Sequence, residues 1–202
     1  MGFRVKDKQK SFEIALNNGA TPAQSHPVYN LPAIVGIGGS VIYFTDHTFK
    51  PIEEDWKINH THIHKGAGLM EIDHLTHNVY RGKLHKWAEF YKKIFGFTEI
   101  RDFNIHGKHT GLYSQALTSP CGKIKIPLNE SKDDKSQIEE FLQEYHGEGI
   151  QHIALTTDNI YESIDKLKEL EINFLDTPNT YYEQIKNRLP WEKESIEKKK
   201  KR

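Results

Sequence analysis

The sequence predicts an α+β fold in which strands and helices follow one another in β-α-β-β-β units. Three observations predict it. A strand pattern, a helix pattern and three further strand patterns run in order from Leu69 to Leu128. A second strand-then-helix pattern begins at Ile150. The tetrapeptide Ile72-Asp73-His74-Leu75 recurs in shape as Ile150-Gln151-His152-Ile153, with the two histidines 78 residues apart, each time on the first strand of its unit.

Along the chain, Asp7 to Asn18 places Phe12, Ala15 and Leu16 on one helical face, and Asn17-Asn18-Gly19 stops the helix. Leu31 to Phe44 reads as strand material interrupted by Gly36, Gly38 and Gly39. Residues 1–50 thus form one block, and 51–68, with Pro51 and two glycines but no sustained period, read as a linker. In the third block, 69–185, Leu69 to Val79 alternates as a strand with Met70, Ile72 and His74 on one face. Leu84 to Phe95 carries an apolar stripe of Leu84, Trp87, Ala88, Tyr91, Ile94 and Phe95, and Gly96 falls where a helix-ending glycine belongs. Phe97 to Phe103, Gly111 to Thr118 and Lys123 to Leu128 read as strands. Ser136-Gln137-Ile138-Glu139 is a capping box opening a helix that His146-Gly147 ends. After the strand at Ile150, a helix from Asn159 to Leu170 and a strand from Ile172 to Leu175 complete the block. The tail, 186–202, holds eight basic and three acidic residues and reads as a solvated helix or frayed end.

Composition narrows the function. Lys+Arg and Asp+Glu are both 28, and a neutral balance argues against a general nucleic-acid binder. A 36% hydrophobic and 11% aromatic content is too apolar for wholesale disorder. No run approaches the roughly 20 apolar residues of a membrane helix, and the first ten residues show no secretory h-region. One cysteine, Cys121, suits a reducing, cytoplasmic setting. Twelve histidines direct attention to an imidazole metal site.

His74 and His152, on equivalent strands of successive units, can face one cavity. Neutral imidazoles there suit iron, zinc, manganese or nickel, and two histidines with one carboxylate and open positions form the set used by non-haem Fe(II) oxygenases. A lone histidine is more often a satisfied polar residue beside the core; the repeat favours the pair as ligands. His77 is expected beside the site or on the surface rather than on the metal. His60, His62 and His64 alternate within the linker and read as solvated.

The segments Ile72 to Tyr80, Thr110 to Ser114, Ile126 to Glu130, Lys135 to Ile138 and Gly147 to Leu155 resemble the 4-hydroxyphenylpyruvate dioxygenases, most of all their bacterial branch. The resemblance runs from residue 1 to about 185. It implies the vicinal-oxygen-chelate fold of βαβββ modules, here an incomplete barrel. Residues 1–50 would be the end of an amino-terminal domain. Residues 69–185 would be the catalytic domain, its first module complete and its second partial. It implies His74 and His152 as two of three Fe(II) ligands. Ser114, Asn129, Gln137 and Gln151 would bind substrate, with Pro127 and Thr110 beside them. Without the resemblance, Asn129 reads as a turn residue after a strand and Gln137 as a polar residue of a helix's first turn. Strand alternation also points Gln151 away from the face of His152.

The resemblance implies conversion of 4-hydroxyphenylpyruvate and O2 to homogentisate and CO2 in tyrosine and phenylalanine breakdown. The third ligand, a glutamate, would lie beyond residue 202 if ligands are evenly spaced, because Glu162 and Glu169 fall on a helix, Glu171 at a turn and Glu183 after the last strand. The chain is therefore expected to be a piece, truncated at both ends and inactive alone. A hydroxymandelate synthase shares the expected fold and substrate. A non-catalytic fragment associating with a partner chain or with copies of itself through exposed edge strands is a third reading.

Overall fold

The computed structural model describes residues 1–25, 29–50, 66–106 and 111–188. The expected linker (51–68) and tail (186–202) lie mostly outside these residues, as do His60, His62, His64 and Thr110. The chain forms two compact units, residues 1–61 with 72–154, and residues 62–71 with 155–202.

In the first unit, β1 (Gly2–Arg4) runs parallel to the later strand β3 (Val41–Thr45), and β2 (Ala33–Val35) pairs antiparallel with β3. Between β1 and β2, α1 (Lys8–Asn17) starts at Asp7, whose carboxylate accepts the Lys10 N–H at 2.9 Å, satisfying one of the free donors of the first turn. The expected break at the glycines is a single turn of 3-10 helix, Ile37–Gly39. Gly38 sits there at φ +58°, and a Cβ in its place would come within 1.8 Å of the Glu148 carbonyl oxygen. Only glycine permits this approach.

The second sheet contains β4 (Leu69–Val79), β5 (Thr98–His106), β6 (Gly111–Thr118), β7 (Lys125–Ser131) and β8 (Gly149–Thr157), in the order β5-β6-β7-β4-β8. With α2 (Leu84–Phe95) between β4 and β5, the order β4-α2-β5-β6-β7 is the expected βαβββ unit, and β8 opens the next. Among the described residues the sheet is not closed into a barrel: β5 and β8 are its edges. Register places Asn78 of β4 opposite Asn129 of β7, and Asn129 opposite Ser114 of β6. Asn129 is therefore inside a strand, not in a turn.

The start of α2 has no side-chain cap of its own. Glu130 on β7 instead accepts the Leu84 N–H at 2.9 Å, which ties the helix to the sheet. Trp87, Ala88 and Tyr91 bury one face of α2, and Gly96 ends it in the left-handed conformation. That face shares one core with Phe3, Ala15, Ile34, Ile42 and Phe44 from the first 50 residues and with Val79, Leu117, Ile126 and Leu128 from the larger sheet. Phe3 meets Phe95 edge-on at 5.0 Å between ring centres. α3 (Gln137–Glu144) follows β7, capped by Ser136, which accepts the Glu139 N–H.

His77 corrects an expectation. It is fully buried, with Nε2 hydrogen-bonded to the Tyr91 hydroxyl at 2.7 Å, so it lies neither on the surface nor beside His74. Alternation along β4 turns it to the α2 side of the sheet. Burial pushes its pKa down to about 4.

The second unit holds α4 (Ile160–Glu169), whose start is capped by the Asn159 side chain, and α5 (Asn179–Arg188). The expected strand at Ile172 to Leu175 does not form. No strand pairs with it among the described residues, and Leu175 is 98% exposed; an apolar run without a partner cannot satisfy its backbone as a strand. Glu183 lies on α5, not in a post-strand segment. Among the described residues, no helix is long and apolar enough to cross a membrane.

Candidate metal centre

Strand alternation puts His74, Thr76 and Asn78 on the face of β4 opposite the buried His77 and Val79. β8 is the neighbour of β4 and brings His152 to this face. The Nε2 atoms of His74 and His152 are 3.3 Å apart, with ring centres 5.4 Å apart and planes at 75°. Asn129 and Ser114 continue the same face across β7 and β6, because cross-strand partners point the same way.

The other nitrogen of each ring is committed. Asp73 Oδ2 accepts the His74 Nδ1–H at 2.7 Å, and Gln151 Oε1 accepts the Nδ1–H of His152. A neutral imidazole protonated at Nδ1 carries its lone pair on Nε2. Two lone pairs therefore point at nearly one place. The Thr76 hydroxyl donates to His152 Nε2 at 3.0 Å and can rotate away when another electron-pair acceptor arrives. Desolvation, and then the proximity of His74, lower the pKa of His152 and favour its neutral form. Asp73 is in turn held at Oδ1 by Lys125 Nζ at 2.7 Å; the bonds from Lys125 and then His74 hold its carboxyl below the usual range.

A separation of 3.3 Å is compatible with one ion bound to both nitrogens at about 2.0–2.2 Å, so the donor set fits a metal at two positions. Among the described residues no group of three His, Cys, Asp or Glu side chains is placed to hold a metal.

The other expected site residues are placed as follows. Ser114 lines a cavity of about 540 Å³ with Leu84, His85, Tyr113, Gln115 and Glu130, toward the start of α2; Asn129, Gln137, Gln151 and the two site histidines are not among its lining residues. Gln137 is the exposed first residue of α3. Gln151 touches His152 despite its alternate position on β8, because its amide folds back along its own strand to the neighbouring ring. Sequence reasoning missed Asp73, Thr76 and Lys125. Thr76 was legible two residues from His74 on the same face, whereas Lys125 comes from a strand more than fifty positions away.

The chain belongs to the glyoxalase/bleomycin resistance protein/dioxygenase superfamily, whose family model matches residues 71–185, more than half of the chain. Residues 1–58 match the family model described as hydroxyphenylpyruvate dioxygenase, HPPD, N-terminal. At the level of individual proteins, it is 60% identical over 198 residues to a 4-hydroxyphenylpyruvate dioxygenase of Legionella pneumophila (strain Corby), covering 97% of this chain and 57% of the relative. It is 47% identical over 204 residues to a 4-hydroxyphenylpyruvate dioxygenase of Pseudomonas aeruginosa, covering 98% and 57%. The chain thus spans about 57% of the length of these curated relatives. Among solved structures, a mutant 4-hydroxymandelate synthase from Streptomyces coelicolor superposes with TM-score 0.78 at 24% identity, covering all of this chain and 58% of that one, and shows the shared fold. A xylose isomerase-like TIM barrel/4-hydroxyphenylpyruvate dioxygenase fusion protein superposes with TM-score 0.77 at 27% identity, covering 99% and 32%.

Proposed function

We propose that this chain carries two of the three iron ligands and part of the substrate pocket of an Fe(II)-dependent 4-hydroxyphenylpyruvate dioxygenase. The reaction takes 4-hydroxyphenylpyruvate and O2 to homogentisate and CO2, within cytoplasmic tyrosine and phenylalanine breakdown. The convergence of His74 and His152 Nε2 at 3.3 Å carries the reading. The names of relatives at 60% and 47% identity supply the substrate.

His74 and His152 would hold the iron, and a carboxylate from outside the described residues would complete the set. Bound iron supplies Lewis-acid polarisation of the 2-oxo acid and the redox partner for O2. The protein's own contribution is orientation. Asp73 and Gln151 keep both histidines protonated at Nδ1, which presents Nε2 as the donor atom. With its oxygen engaged by His152, Gln151 retains an amide NH2 to donate to substrate. Ser114 and Asn129, in register on one face, offer a hydroxyl and an amide to substrate polar groups. Gln137, at the exposed start of α3, would offer its amide to substrate.

Purified residues 1–202 joined to the carboxy-terminal part of the Legionella relative, loaded with Fe(II), should release homogentisate. Hydroxymandelate as the product would replace this reading with the synthase. No product, together with no metal binding that depends on His74, would overturn it.

A further inference from the structure

We infer that Asp73, anchored by Lys125, is the positioning residue that decides which nitrogen of His74 faces the metal. The inference deepens the iron reading and rests on it for the metal, but its structural part stands alone. Each oxygen of Asp73 has one partner: Oδ1 takes Lys125 Nζ at 2.7 Å and Oδ2 takes His74 Nδ1 at 2.7 Å. A carboxylate with both oxygens engaged is fixed in rotation and in orientation. A carboxylate can only accept, so the proton of a neutral His74 must sit on Nδ1 and the lone pair on Nε2. That nitrogen is the one 3.3 Å from His152.

The same geometry removes Asp73 as the absent third ligand, because its oxygens face Lys125 and the far nitrogen of His74. The arrangement contributes little to folding. Asp73 and Lys125 side chains are 33% and 44% exposed, and ion pairs this open to water are worth about 0–1 kcal/mol at most. Its consequence falls on His74 instead. In water an imidazole samples both tautomers; with Asp73 in place, the form presenting Nε2 as a donor is already selected before metal arrives. Lys125 reaches Asp73 from the first residue of β7, so correct pairing of the sheet is what assembles the anchor.

The test uses residues 1–202 with cobalt(II) chloride as the metal probe and long-range 1H–15N NMR of the metal-free chain to read the His74 tautomer. In the unsubstituted chain His74 should be protonated at Nδ1. Asp73→Ala should move population to the Nε2–H form and weaken Co(II) binding about 10–100-fold, the usual cost of losing a partner that orients a ligand. Asp73→Asn keeps an accepting oxygen and should restore much of the tautomer preference. Lys125→Met should fall between the unsubstituted chain and Asp73→Ala. Urea midpoints should be alike in all four, which separates positioning from folding. If Asp73→Ala is poorly folded, Asp73→Asn and Lys125→Met carry the comparison. A tautomer unchanged in Asp73→Ala, or in Lys125→Met where that variant stands in, overturns the inference, and so does Co(II) affinity equal to that of the unsubstituted chain. If the unsubstituted chain binds no Co(II) through His74, the iron reading fails, and the tautomer measurement still decides the role of Asp73.

Discussion

His74 and His152 stand 78 residues apart in the chain and meet through Nε2 atoms 3.3 Å apart. Each strand position fixes one imidazole, and neither alone makes a chelating pair. Substitution of either by alanine should therefore cost nearly as much Co(II) affinity as substitution of both, because groups acting as a unit are not additive. The loss should exceed the roughly 10–100-fold expected of an orienting partner. Titration of the three variants with Co(II), followed by its visible absorption, checks this. Additive single losses would mean that the histidines bind separately.

His77 predicts an acid-sensitive fold. Its folded pKa of about 4 lies below the ordinary histidine value of 6.5, because the buried ring resists charging. Between these values the unfolded chain binds the proton and the folded one does not. The stability is fully present above about pH 6.5 and is lost as pH falls toward 4, by about 3 kcal/mol over the whole window. His77→Gln, which retains a group able to hydrogen-bond the Tyr91 hydroxyl, should flatten this slope. Urea midpoints of both chains from pH 7.5 to 4.5 measure it. Equal slopes would place the titration elsewhere.

Tyr91→Phe tests the same contact from the helix. It removes the hydroxyl that hydrogen-bonds a buried imidazole nitrogen while keeping the ring packed. The expected cost is about 1–3 kcal/mol, the range for leaving a buried polar group unsatisfied. Equilibrium unfolding at pH 7.5 reads it directly. A change below a few tenths would mean that the hydroxyl adds nothing to the core.

The βαβββ order was legible because each element has its own period: Trp87, Ala88 and Tyr91 mark a helix face, and alternation marks β4. The convergence of His74 and His152 was legible because the two tetrapeptides repeat at the same place in their units. What failed depended on partners that one segment cannot reveal. Ile172 to Leu175 has the composition of a strand, but no strand pairs with it among the described residues. His77 looked like an accessory to His74, whereas Tyr91, fourteen residues on, draws it into the core. Likewise, nothing local to Lys125 announces Asp73, since sheet register makes that contact.

Gly38 carries a prediction about how the first 50 residues join the rest of their unit. At φ +58° an alanine is strained, and its Cβ would meet the Glu148 carbonyl oxygen at 1.8 Å. Glu148 cannot withdraw freely. Its carboxylate accepts from the Tyr80 N–H at 3.0 Å and the Trp87 indole N–H at 2.8 Å. The left-handed conformation costs about 1–2 kcal/mol and overpacking typically about 1–3 kcal/mol. Gly38→Ala should therefore lose more stability than Gly39→Ala, where no atom lies within 4 Å of the added carbon though φ is +82°. The difference between the two urea midpoints isolates the clash from the shared backbone strain. Equal losses would show that the Glu148 segment yields.

The last prediction concerns turnover. Residues 1–202, loaded with Fe(II), should form little or no homogentisate. Two imidazoles bind without the carboxylate that offsets the charge of the ion, and among the described residues no third acidic or sulfur ligand is placed to join them. The open sheet also leaves the histidine face accessible to water, with His152 itself exposed, so charge interactions there are weakened. Addition of the carboxy-terminal part of the Legionella relative should raise Fe(II) affinity first and turnover second. Affinity depends on one added carboxylate; turnover depends also on closing the pocket. In that longer protein His74→Ala should abolish product, whereas Ser114→Ala should raise KM more than it lowers kcat, since the hydroxyl is expected to touch substrate and not metal. Robust turnover by residues 1–202 alone, surviving removal of metal and its return, would mean that a carboxylate of this chain completes the site.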